Sequence, residues 1–212
     1  MKRTCIIALL LSLVCMGAAA QNTLGDFRKG IEGRLVAFKA DYAPVSGAGA
    51  RGSFDVRFQE DAYHFTTSDD SGMALEVFCD SKSVWIVDNV SKECEVEPFS
   101  GSGEDLISSI YSIITGIEGL YKVKSSASGS FAGRKVTTVT LEYSGEGASI
   151  ARSVRLHITP DLKLAGFEAT DDNGFTTRFT VSGWQVQDRI SPASYKFDEK
   201  ALDKSWVVTD LR

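Results

Sequence analysis

Apolar and polar residues alternate with a period of two through much of this chain, and that period predicts strands with one buried face. Phe54, Val56 and Phe58 point one way, while Ser53, Asp55 and Arg57 point the other. Tyr63, Phe65 and Thr67 repeat the alternation, as do Leu75, Val77 and Cys79, and Val84-Trp85-Ile86-Val87 is apolar on both faces. Turn residues separate these runs: Asp69-Asp70-Ser71-Gly72, Asp80-Ser81-Lys82, Asp88-Asn89 and Ser91-Lys92. The stretch from Phe54 to Phe99 therefore reads as an antiparallel meander of roughly four or five strands with a broad aromatic face.

Two stretches carry a different period. From Thr23 to Lys39, the residues Leu24, Phe27, Ile31, Leu35 and Phe38 recur at helical spacing, opposite Arg28, Lys29, Glu32 and Arg34. Gly25, Gly30 and Gly33 weaken this helix by about 1 kcal/mol each relative to Ala, so packing must hold it. Ala40 to Val45 then begins the sheet. The second helix follows Ser100-Gly101-Ser102-Gly103 and spans Glu104 to Thr115, with Ser102 and Asp105 fitting a capping box. Leu106, Ile110, Ile113 and Ile114 lie on its wide apolar stripe, and Gly116 and Gly119 bracket its end. Its β-branched residues make it marginal alone, and it reads either as a core helix or as a lid. Tyr121 to Lys124 reads as a short strand and Ser125 to Ser130 as a polar loop.

A second meander follows. Val139, Leu141 and Tyr143 alternate, and Val154, Leu156 and Ile158 oppose Ser153, Arg155 and His157, which puts His157 on a solvent face. Leu162 to Thr170 comes after the Pro160-Asp161 turn, and Asp172-Asn173-Gly174 is a hairpin turn leading into Phe175, Thr177, Phe179 and Val181. Trp184, Val186, Tyr195 and Phe197 supply the last edge. No shift in composition marks a domain boundary.

Composition changes the picture at the start of the chain. Lys2-Arg3, the apolar run Ile6 to Met16 and the small residues Gly17 to Ala20 form a signal peptide over residues 1–20, cleaved after Ala20. Val14 stands where a small residue would precede a lipidated Cys15, so the expectation is a soluble exported domain spanning residues 21–212. Without Lys2 and Arg3, 21 basic side chains face 28 acidic ones, a net charge of −7, which excludes nucleic acid and anionic membrane as electrostatic partners. Cys79 and Cys94 fall two strands apart, about 9–10 Å at ordinary strand spacing, beyond the roughly 7 Å a disulfide spans. Free thiols acting as small apolar fillers are expected.

Candidate chemistry is sparse. The dinucleotide-like Gly47-x-Gly49-x-x-Gly52 is followed by a strand rather than a helix, so it lacks the helix N-terminus that would receive a pyrophosphate. His64 and His157 are far apart in sequence, and no H-E-x-x-H, C-x-x-C or G-x-S-x-G occurs. Asp69-Asp70 and Asp171-Asp172 sit in turns, where Asp bonds its own backbone, and Asn89-Val90-Ser91 is a glycosylation sequon only in a host that glycosylates it. No catalytic, metal or cofactor site is expected, and the chain reads as a binding protein rather than an enzyme.

Several segments, taken in order, resemble the periplasmic outer-membrane lipoprotein carriers (LolA-like), particularly their Bacteroidetes-type branch. They are Leu35-Val36-Ala37-Phe38-Lys39-Ala40-Asp41-Tyr42, the Gly-initiated strand Gly52 to Phe58, and Val77-Phe78-Cys79-Asp80-Ser81-Lys82-Ser83-Val84-Trp85-Ile86-Val87-Asp88. The helical insertion at Glu104–Thr115 follows, then Tyr195-Lys196-Phe197-Asp198 and Val207 to Arg212. The resemblance implies a mainly β fold with α: an incomplete, strongly curved antiparallel β-barrel with helices covering its open mouth. It implies a monomeric periplasmic carrier whose apolar cavity takes the acyl chains of lipoproteins from an inner-membrane releasing complex to an outer-membrane acceptor. The alternative is a lipid- or lipoprotein-sensing module of the same fold without shuttle activity. The expected cavity residues are Phe54, Val56, Phe58, Phe65 and Trp85 from the strands, with Leu106, Ile110, Ile113 and Ile114 from the lid. Proteobacterial carriers of that family typically follow the Gly-initiated strand with a Lys-Arg-Pro run whose arginine bonds the lid. Here the matching positions read Arg57-Phe58-Gln59, which leaves Arg57 as the candidate lid contact.

Overall fold

The computed structural model describes residues 22–99, 110, 113–115, 119–145 and 151–212. The expected signal peptide, Leu106 and most of the expected second helix lie outside the described residues. Among those described, a helix α1 (22–31) precedes twelve strands. These are β1 (Leu35–Pro44), β2 (Gly52–Gln59), β3 (Ala62–Asp69), β4 (Ala74–Asp80), β5 (Ser83–Asp88), β6 (Glu93–Pro98), β7 (Tyr121–Phe131), β8 (Arg134–Tyr143), β9 (Ser153–Ile158), β10 (Leu164–Thr170), β11 (Thr176–Gln187) and β12 (Val207–Asp210). Short 3₁₀ turns at Pro192–Tyr195 and Glu199–Ala201 lie between β11 and β12. The strands form one open sheet in the order β12-β6-β5-β4-β3-β2-β1-β11-β10-β9-β8-β7. From β6 to β1 and from β11 to β7 the neighbours run antiparallel, and β12 lies parallel to β6.

The chain divides into two compact units. One holds α1, β7 to β10 and the start of β11; the other holds β1 to β6, the end of β11 and β12. In the β1–β6 unit the alternation read from the sequence sets the register. Phe58 lies opposite Val36 and Tyr63, Val56 opposite Phe38 and Phe65, and Phe54 opposite Ala40 and Thr67. Tyr63, Phe65 and Thr67 in turn face Cys79, Val77 and Leu75. Because partners directly across a ladder share a face, one aromatic and aliphatic face runs without a break from β1 to β5. The opposite face is covered by the segment after β11. Tyr195 packs on Leu35 and Ala62, and Phe197, Leu202 and Trp206 pack on Trp85, Val87, Cys94 and Val96.

In the other unit, Val139, Leu141, Val154, Leu156 and Phe167 are buried together on one side of β8 to β10. The reverse side carries a charged cluster. The Glu168 side chain is 4% exposed, with Arg155 at 2.5 Å and Arg178 at 2.8 Å. His157 stacks on the Phe131 ring at 4.0 Å between centroids and shares a 3.0 Å hydrogen bond between Nδ1 and the Thr138 hydroxyl. A Cβ at Gly166 would collide with the Phe131 ring and the Phe179 carbonyl oxygen, so only glycine lets that ring lie down on the strand.

Four expectations are corrected. The first helix ends at residue 31 rather than Lys39, because Gly33 takes a left-handed φ of +63° and Val36, Phe38 and Ala40 then alternate as a strand. Ser125 to Ser130 is no loop but the middle of β7, whose polar residues suit a sheet edge. His157 is buried rather than solvent-facing, since Phe131 folds over it. Tyr195 and Phe197 form a strap across the sheet rather than its last edge, which is β12. Cys79 and Cys94 are free and buried. Cys79 pairs across the ladder with Val84 and Cys94 with Val87, so the two thiols point to opposite faces of the sheet.

Candidate functional site

Of the expected cavity residues, Phe54, Val56, Phe58 and Phe65 share one face and are at most 4% exposed. They are held by aromatic contacts within the same unit. Phe38 meets Phe54 edge-on at 5.9 Å and Phe58 at 6.4 Å, and Phe54 lies 5.3 Å from Phe65. Trp184, which the sequence reading left out of the site, stacks on Phe38 at 5.4 Å and 27°. Such ring pairs are worth roughly 0.5–1.5 kcal/mol each beyond the area they bury. The face loosens toward β4 and β5, where Leu75, Val77, Val84 and Ile86 are only half-buried. These four were legible as members of the face once the register was known. The period-two pattern marked Leu75 and Val77, whereas Val84 and Ile86 are assigned to the face only by the register.

Trp85 does not belong with this group. Its neighbour in register is Phe78, on the face opposite Val77 and Cys79. There its indole Nε1 donates to Glu199 Oε1 at 2.7 Å, and the Arg212 guanidinium lies 5.9 Å from its ring. Arg212 also reaches Glu199 at 3.3 Å. The residue anchors the C-terminal strap. A run apolar on both faces, as at Val84 to Val87, cannot say which side chains go where; the register decides.

Arg57 is exposed and, one residue from Phe58, also lies on the opposite face, across from His64. The described arginine that bonds the second helical segment is instead Arg28 of α1. Its Nε donates to the Ile114 carbonyl at 3.3 Å and its Nη2 to the Ile113 carbonyl at 3.2 Å. Ile110, Ile113 and Ile114 are buried, at 4%, 4% and 1% exposure. Partial burial lowers the Arg28 pKa, as expected when a cation leaves water for carbonyl oxygens that carry only partial charge. In the sequence Arg28 sat on the polar side of a helix, and nothing local distinguished it from Lys29.

Elsewhere polar groups serve the scaffold. Gln59 is 1% exposed, and its amide donates to the Ile190 carbonyl at 2.6 Å and accepts from the Ile190 N–H at 2.9 Å. His64 lies 2.8 Å from Glu76 and stacks on Phe78. Among the described residues, no group of three or more His, Cys, Asp or Glu side chains is placed to hold a metal ion, and no helix is long and apolar enough to cross a membrane.

No family model matches the sequence, and no curated protein matches it. Solved structures do resemble the chain. A conserved protein of Thermus thermophilus aligns over 91% of this chain and 99% of its own at 12% identity, with a TM-score of 0.56. MucB aligns over 86% of this chain at 11% identity and a TM-score of 0.48, the chain spanning 64% of MucB's length. A LolA superfamily protein of Nitrosomonas europaea aligns over 84% of this chain and 97% of its own at 10% identity and a TM-score of 0.40. Among the described residues the fold is mainly β, a single open sheet of twelve strands, and the likeness to the Thermus thermophilus protein is a likeness of fold.

Proposed function

We propose that this protein binds the acyl chains of lipoproteins on the apolar face of β1 to β5 and carries them across the periplasm, from a releasing complex at the inner membrane to an acceptor at the outer membrane. The observation that carries the reading is the gradient along that face. It is tightly packed at Phe54, Val56, Phe58 and Phe65 and half-open at Leu75, Val77, Val84 and Ile86. A fully packed face would be a core, whereas a half-open aliphatic strip against a rigid aromatic base is a surface on which a flexible chain gains contact without disturbing the fold. Each buried CH₂ stabilises the complex by about 0.8 kcal/mol, so partial burial of one chain keeps binding reversible, as a carrier requires. The bonds from Arg28 to the Ile113 and Ile114 carbonyls tie α1 to the second helical segment, and they are the candidate counterpart of the lid contact that the resemblance implied for Arg57.

The test is direct. Native mass spectrometry of protein purified from its own periplasm should show co-purified acylated polypeptide, and a palmitoylated peptide added to delipidated protein should shift the emission of Trp184. Val77→Glu, at a half-open position, should weaken that binding by on the order of tenfold or more with the circular dichroism unchanged. Absence of both the co-purified species and the peptide binding would sink the proposal. A small free lipid in place of acylated protein would instead support a sensing module.

A further inference from the structure

The half-open apolar strip ends against a row of carboxylates. Ile86 and Val84 lie directly across from Glu95 and Glu97, and Asp88 across from Glu93. The three glutamates of β6 therefore lie on the same face as Leu75, Val77, Val84 and Ile86, one strand spacing, or about 5 Å, from Val84 and Ile86 and two from Leu75 and Val77. Glu93 and Glu95 are exposed and Glu97 is half-buried. Among the described residues none of the three makes an ion pair or a side-chain hydrogen bond. Asp88 differs, because its carboxylate accepts the Val90 and Ser91 N–H groups in the turn. Nearby, Lys92 donates to the Ser205 hydroxyl and not to a β6 carboxylate. The intervening Cys94 and Val96 are buried on the opposite face, so one face of β6 is acidic and the other is core.

We propose that this strip and its acidic border form a docking surface for a basic, extended polypeptide segment: the part of an acylated cargo that follows the lipidated residue. The inference rests on the acyl-binding reading. Charge complementarity and spacing argue for this occupant. Alternate residues of a strand repeat about every 7 Å, so Lys or Arg at every second position of an extended segment meets Glu93, Glu95 and Glu97 in step. An acyl chain lying on β4 and β5 holds the polypeptide attached to it within reach of β6. An acidic segment in that position would place like charges side by side along the row, so the border selects among cargoes as well as binding them.

Three palmitoylated peptides test this, alike except for Lys, Glu or Ser at three alternating positions. At low salt the wild-type protein should bind the Lys peptide about tenfold tighter than the Glu peptide, given exposed pairs of modest individual strength. The difference should shrink in 0.5 M salt, where screening lengths fall to roughly 4 Å. Glu93→Gln/Glu95→Gln/Glu97→Gln should abolish the difference and leave Ser-peptide binding intact. Asp26→Asn/Glu32→Gln/Asp172→Asn, which removes the same net charge elsewhere, should preserve it. Equal binding of the Lys and Glu peptides by the wild type, or a preference that survives the β6 triple substitution, overturns the docking surface while acyl binding stands. If no palmitoylated peptide binds, both the acyl reading and this inference fall.

Discussion

Acidification should loosen the β7–β10 unit through one side chain, His157. It is 6% exposed and pressed against Phe131, its Nε2 lies 3.7 Å from Glu168, and Arg155 and Arg178 already occupy that carboxylate. Protonation would put a third cation beside one anion, out of water. Burial, opposed by the Glu168 charge, moves the pKa down from 6.5 to about 4. The unfolded chain therefore takes up its proton first as pH falls. The histidine's contribution is fully present above pH 6.5, declines from there to about pH 4, and is gone below that value. The shift corresponds to about 3 kcal/mol. Most carboxylates with lowered pKa, such as Asp69 and Asp161, lose their contribution at still lower pH, so the interval from pH 6.5 to 4.5 isolates the histidine. Tryptophan emission is a poor assay, since Trp85, Trp184 and Trp206 all belong to the other unit. Amide exchange at Val139, Leu156 and Phe167 is the appropriate one. Protection there should fall by about 1.4 kcal/mol per pH unit at the steepest in the wild type and stay flat in His157→Phe, which keeps the ring contact and cannot titrate. A flat wild-type profile, or an equal slope in the variant, would refute the reasoning.

Three further outcomes follow from the packing. Gly166→Ala drives a methyl group into the Phe131 ring and should cost about 1–3 kcal/mol, seen as a lower melting temperature and a faster-exchanging β9. Trp85→Ala should cost roughly 3–5 kcal/mol and release the C-terminal strap to proteolysis, while the affinity of the folded protein for a palmitoylated peptide stays unchanged, because Trp85 lies on the other face. Arg28→Gln removes charged hydrogen bonds worth about 1.5–3 kcal/mol and should speed amide exchange at Thr115 by tenfold or more, whereas Arg57→Gln should leave it unaltered.

What could be read in the sequence depended on whether one period ruled a segment. Phe54 to Cys79 alternates cleanly, and the strands, turns and shared face all lie where the alternation puts them. Leu24 to Phe38 satisfied helical spacing throughout, yet Val36, Phe38 and Ala40 also satisfied strand spacing; the left-handed Gly33 separates the two, and a pattern of apolar positions cannot contain it. Val84 to Val87 is apolar on both faces because both are covered, so Trp85 could be assigned only once its ladder partner Phe78 was known. Ser125 to Ser130 looked like a loop because an edge strand needs little apolar content. His157 looked exposed because the ring that covers it, Phe131, comes from a hairpin more than twenty residues earlier. Arg28 was hidden for a similar reason, since its partners are backbone carbonyls, which no side-chain pattern reveals.

The placement of β11 and β12 bears on the order in which the chain can fold. Strands β2 to β6 follow one another through short turns and can pair as soon as they are made, because closing small loops costs little entropy. Their two flanks cannot. The free edge of β1 waits for β11, and that of β6 waits for β12, whose Val207 pairs with Glu93 across more than a hundred residues. Until the last third of the chain arrives, the central meander carries a bare edge on either side, each able to recruit a strand from another molecule. The three glutamates of β6 stand on one of those edges, and like charges on a second copy disfavour edge-to-edge pairing there while the sheet is half finished.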